Sequence, residues 1–75
     1  MNKVGPKARE FRKSQDLSQK EVAARCNILG WDISRSVYAK IESRNRGVSD
    51  TEVELLAKAL KVEITDLYKA VSKNK

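Results

Sequence analysis

Chemistry in this chain is concentrated in one short stretch. Between positions 34 and 43 the apolar side chains are Val37, Tyr38 and Ile41, and the outward candidates are Arg35, Ser36, Ala39, Lys40 and Ser43. On a helix, the first three share an inner stripe. Ser36, Lys40 and Ser43 then follow one outer edge, with Arg35 and Ala39 beside them. The resulting face is short and basic, and none of the five is acidic. A helix with such a face fits the major groove of DNA. There an arginine pairs with guanine O6 and N7, while serine and alanine allow close approach to base edges or a thymine methyl. An ordinary solvated helix surface would carry the same residues. Catalysis has little to work with. The sequence holds no His and a single Cys, Cys26, with no metal-ligand spacing, no glycine-rich phosphate loop and too little chain to enclose a pocket. No enzyme activity, metal or cofactor is expected.

The elements that must position this face are legible from capping and periodicity. Pro6 behind Gly5 starts a first helix that turns Ala8 and Phe11 inward. Ser18 with Glu21 forms a capping box, and Leu17 can staple onto Val22 ahead of an inner face of Val22, Ala23 and Cys26. Cys26 is therefore read as a small core residue rather than a reactive thiol. Ser34 caps the third helix, with Ile33 placed to staple Tyr38. Ser49 with Glu52 repeats the capping box, with Val48 opposite Val53, ahead of Val53, Leu56, Ala57 and Leu60 at helical spacing. A last helix offers Ile64, Leu67 and Val71. The pattern predicts helices near 6–14, 18–27, 34–43, 50–60 and 64–72, and no strand. Trp31 stands alone in the polar connection 27–32, either as a plug beside the core or as a binding anchor.

Seventy-five residues with a net charge of +6 predict one domain over 1–75, with a core of 5–71 and flexible ends at 1–3 and 72–75. The charge is segregated. Lys3, Lys7, Arg9, Arg12 and Lys13 face only Glu10 in the first stretch, and Arg35, Lys40, Arg44 and Arg46 face only Glu42 in the third. Residues 50–66 reverse the sign, with Asp50, Glu52, Glu54, Glu63 and Asp66 against Lys58 and Lys61. One face should attract polyanions while another stays off them. With one cysteine, no membrane-length apolar run and no apolar leader, a cytoplasmic setting is expected.

Residues 5–68 resemble the phage repressor and Cro-like helix-turn-helix domains, the XRE family. The resemblance is carried by Phe11-Arg12-Lys13, by Leu17-Ser18-Gln19-Lys20-Glu21-Val22-Ala23 and by the run from Ile33 to Glu42. The runs from Val48 to Val62 and from Ile64 to Tyr68 complete it. It implies a compact all-α, five-helix, lambda-repressor-like domain whose second and third helices form the DNA-binding unit. It further implies that Arg35, Ser36 and Lys40, with Ala39 among them, contact bases. Gln19 at the start of the second helix would contact a phosphate and steady the third. Ser34, Ser43, Arg44, Asn45 and Arg46 would touch backbone, and Arg12 and Glu42 would form a partly buried ion pair. The sequence departs from the family pattern in four places. The turn between helices two and three is lengthened by about five residues relative to the usual tight turn. Arg44 and Lys61 stand where glycines are usual, and Val48 where a proline is usual.

The expected partner is double-stranded DNA, bound by a two-fold homodimer with a short operator. The dimer surface expected from the last helix is Ile64, Leu67, Tyr68 and Val71, residues that could equally complete the core. The competing reading is a protein-interaction module of the same fold, such as an antitoxin-like partner binder, with the Trp31 turn as its contact.

Overall fold

Three helices begin on a serine. Ser18, Ser34 and Ser49 hold extended backbone and accept hydrogen bonds from the amides of Glu21, Val37 and Glu52. Glu21 and Glu52 return the bond to the cap amides, which completes two capping boxes. The computed structural model describes residues 2–69. They form α1 (Gly5–Ser14), α2 (Gln19–Ile28), α3 (Arg35–Glu42), α4 (Asp50–Leu60) and α5 (Ile64–Leu67), with no strand among the described residues. The all-helical architecture is the expected one.

The helices close in a common way. After α1, α2, α3 and α4 a left-handed residue turns the chain: Asp16 (φ 58°), Gly30 (φ 97°), Arg44 (φ 68°) and Lys61 (φ 59°). The amide that follows each reaches back five residues, Leu17 to Arg12, Trp31 to Cys26, Asn45 to Lys40 and Val62 to Ala57, at 2.8–3.0 Å. Each closure satisfies carbonyls that the helix end leaves without partners. Only Gly30 adopts this conformation freely; the other three side chains each cost about 1 kcal/mol.

The core gathers the inner stripes. Ala8, Val22, Ala23, Cys26, Tyr38, Ile41, Val53, Leu56, Ala57, Ala59, Leu60 and Leu67 are buried, with Val4 and Ile33 from the connections. Phe11, Trp31 and Val37 pack half-buried against them. Helix α2 packs on α3 and α4, α1 packs on the same two, and α5 rests on α4. Trp31 therefore acts as a plug at the edge of the core.

Two expectations need correction. The fifth helix does not run from 64 to 72. It ends at Leu67, where the Tyr68 amide bonds to Thr65 and the Lys69 amide to Asp66, a tight turn rather than a continued α-ladder. Residues 70–72 of the expected helix, and the expected flexible end at 72–75, lie outside the described residues.

The start of the chain is not loose at Asn2, which is 4 % exposed. Its Oδ1 accepts the amides of Val4 (2.8 Å) and Gly5 (2.9 Å). Its Nδ2 donates to the carbonyls of Ile41 (2.7 Å) and Arg46 (3.2 Å). One side chain thus caps the start of α1 and the end of α3 together. The two helices meet so closely there that a Cβ on Gly5 would run into the Ile41 carbonyl oxygen.

Candidate nucleic-acid interface

The long turn delivers α3 at a defined angle. Asn27 Nδ2 donates to the carbonyls of Trp31 (2.9 Å) and Ile33 (3.0 Å), and the Ile33 amide donates to Trp31 O (2.9 Å). Ile33 is buried and Ser34 caps α3 one residue later. With Tyr38 and Ile41 fully buried, helical geometry leaves Arg35, Ser36 and Lys40 exposed and Ala39 half-buried. Ser34 and Ser43, at the two ends, are exposed. The face foreseen for α3 is therefore brought together on one side. Tyr38 cannot reach a phosphate, because its hydroxyl is buried and has no direct hydrogen-bond partner among the described residues. Burial pushes its pKa up, with the nearby Glu42 carboxylate adding to the effect.

Behind this face lies a charged relay. Arg12 on α1 meets Glu42, the last residue of α3, through Nε–Oε2 at 2.7 Å and NH2–Oε1 at 3.1 Å. The pair is buried, with side-chain exposures of 11 % and 3 %. Arg12 NH1 also holds the Leu17 carbonyl at 2.8 Å. Gln19 Nε2 donates to Glu42 Oε1 at 3.0 Å, and Gln19 Oε1 lies 3.4 Å from Arg35 NH1. A line of polar contacts thus joins α1, the start of α2, the end of α3 and the first outward residue of α3. Burial disfavours the Glu42 carboxylate, yet the hydrogen bonds from Arg12 and Gln19 and the nearby Tyr38 hydroxyl outweigh it, so its pKa falls below the ordinary value. The hydrogen bond to Glu42 in turn pushes Arg12 upward.

The loop after α3 is tethered rather than free. Arg44 is exposed and donates Nε to the Asn2 carbonyl at 3.0 Å. Asn45 Nδ2 donates to Ser43 Oγ at 3.0 Å, and Ser43 Oγ donates to Lys40 O at 3.1 Å. Arg46 faces Glu52 through two contacts of 3.2 Å, which hold the Glu52 carboxyl below its ordinary pKa. Sequence reasoning did not foresee that partner, nor the role of Asn2. A groove of about 480 Å³ between α2 and the start of α3 adds Lys20 and Asn27 to the same side as Ser34 and Arg35. The signal for Lys20 was its place one residue after Gln19, which puts it in the first turn of α2.

The surface assigned to the last helix divides. Ile64 and Tyr68 are exposed, at 40 % and 53 %. Leu67 is fully buried and belongs to the core, so it is withdrawn from the dimer surface. Ile64 and Leu67 are three apart on α5, and against α4 it is Leu67, at the end of the turn, that enters the core while Ile64 at its start stays partly in solvent. Val71 lies outside the described residues. Among the described residues no helix is long and apolar enough to cross a membrane, and no His, Cys, Asp and Glu side chains cluster to hold a metal.

Comparison with known proteins agrees with this architecture. A family described as helix-turn-helix matches residues 9–67. The chain is similar to the restriction-modification controller protein C.AhdI from Aeromonas hydrophila, known from a crystal structure, with 32 % identity over 87 % of each chain and a TM-score of 0.75. No curated protein matches.

Proposed function

The chain belongs to the helix-turn-helix family of DNA-binding regulators, and on that premise we propose that it is a sequence-specific transcription regulator that reads double-stranded DNA with the outer face of α3. One observation carries the reading. The basic, acid-free face of Arg35, Ser36 and Lys40 is mounted on a buried ion pair through Gln19. A rigid mount lowers the ordering cost of docking in a groove. Arg35 is assigned to a guanine edge, with Ser36, Ala39 and Lys40 beside it. Gln19, Ser34, Ser43, Arg44, Asn45 and Arg46 are assigned to backbone. The reading puts the protein in the cytoplasm with its DNA. Similarity to a restriction-modification controller favours a controller of that kind over a phage or antitoxin setting.

A homodimer on a two-fold operator suits a domain this small, and the exposed Ile64 and Tyr68 are the surface proposed for it. Selection from a random duplex pool tests the whole reading. The expected product is a short inverted repeat. If each half-site engages about five phosphates, binding to it falls with salt at a log–log slope of about −4.5 per half-site. A flat salt titration and no enriched sequence would favour the protein-interaction reading instead.

A further inference from the structure

The end of α2 exposes two large aliphatic side chains side by side. Ile28 is 85 % exposed, the highest value among the large apolar side chains in the described residues, and Leu29 is 39 % exposed. They border a groove of about 250 Å³ between the ends of α2 and α4, completed by Ala59 and by Arg25, Lys58 and Lys61. Every charged residue lining this groove is a cation. Arg25 is fixed there, since its NH1 donates to the Ala59 carbonyl at 3.1 Å. Solvation alone explains lysines on a surface, but not two adjacent aliphatic side chains left in water at the head of a concavity.

The groove also lies apart from the DNA face. Arg25 and Leu29 lie on a different side of α2 from Lys20 and Asn27, which line the groove next to Arg35; Ile28, one turn past Ala24, sits between the two sides, and α3 contributes nothing to the Ile28–Leu29 groove. Ile28 and Leu29 offer nothing to phosphates. A cationic rim around an apolar seat complements an acidic segment that carries a large apolar side chain, and the volume suits one such anchor rather than a cofactor.

We infer that the Ile28–Leu29 groove docks an acidic segment of a partner protein, anchored by one large aliphatic or aromatic side chain, while α3 remains available for DNA. The apolar anchor supplies affinity, and Arg25, Lys58 and Lys61 select acidic flanks and raise the association rate. The inference stands on this surface alone and does not depend on the α3 reading.

The probe is a library of short random peptides displayed on phage, selected on the full chain and synthesised after enrichment. The expected consensus places Asp or Glu around a large apolar residue. Its binding should weaken by at least about tenfold in Ile28→Asp, weaken in Lys58→Glu and fall with added salt. Ile28→Asp should keep the helical circular dichroism, the sedimentation mass and the DNA mobility shift of the wild type. Four results overturn the inference. One is no enrichment, or a consensus without acids. Another is binding that ignores Ile28→Asp. A third is a change of sedimentation mass in Ile28→Asp, which makes the groove a contact between copies of this chain. The last is a loss of DNA affinity in a folded Ile28→Asp, which makes it part of the nucleic-acid surface.

Discussion

Arg12 and Glu42, 30 positions apart in sequence, meet in a two-point contact at 2.7 and 3.1 Å that ties α1 to the last residue of α3. The pair fixes where the proposed reading face sits. Truncating one partner leaves the other charge buried, so Arg12→Ala should cost about 3 kcal/mol, far more than Lys69→Ala at the exposed pair with Asp66. Urea denaturation checks this, and equal midpoints for the two variants would remove the relay from the account. The pair also carries a pH signature. Glu42 titrates below its ordinary 4.5 in the folded chain. Its contribution is complete above that value and is lost as pH falls through the lower folded pKa. Glu52, lowered first by its hydrogen bonds with Arg46, acts in the same sense. Acid should therefore destabilise the wild type more than Glu42→Gln.

Asn2 should matter far beyond its place near the start of the chain. Its side-chain bonds go to the start of α1, to Ile41 near the end of α3 and to Arg46 in the loop that follows. Asn2→Ala orphans buried carbonyl and amide groups and should cost about 1–3 kcal/mol. Asn2→Asp keeps the acceptor for Val4 and Gly5 but sets a carboxylate against two carbonyl oxygens, and should rescue little. Thermal unfolding separates these cases; an unchanged melting temperature in Asn2→Ala would show that the cap contributes nothing.

The left-handed closure at Lys61 is an opportunity for stabilisation. Lys61 is exposed and sits at φ 59°. Lys61→Gly relieves the steric cost and should stabilise by up to about 1 kcal/mol after the entropy of the unfolded glycine is counted. Gly30→Ala, at φ 97°, should do the reverse. Opposite signs in paired denaturation curves are the expected result.

Specificity and affinity should separate on DNA. Arg35→Ala should weaken the selected operator by about 1–3 kcal/mol and leave scrambled duplex less affected. Gln19→Ala should act partly through Arg35, so the double variant should lose less than the sum of the singles. Arg46 already faces Glu52, so Arg46→Ala should lower the salt slope by less than the roughly one unit of a free phosphate contact. Equal loss on operator and scrambled DNA in Arg35→Ala would make that residue a phosphate clamp.

By itself the sequence determined what depends on near neighbours. Ser18 with Glu21, Ser34 with Val37 and Ser49 with Glu52 set three helix starts within four residues each, and the 3.6-residue period of Val53, Leu56, Ala57 and Leu60 set a buried face. The outer face of α3 followed from the same period, and the Arg12–Glu42 pair from family resemblance. Only the tertiary structure decided which long-range partner each polar group takes. Nothing local to Asn2 announces the Ile41 and Arg46 carbonyls, and nothing around Arg46 says that Glu52 turns back to meet it. Leu67 and Ile64 are three apart and look alike in sequence, but only the packing of α5 on α4 decided that Leu67 is fully buried while Ile64 stays 40 % exposed. Capping and periodicity are properties of a few consecutive backbone groups, whereas these choices depend on where separate helices bring their ends together.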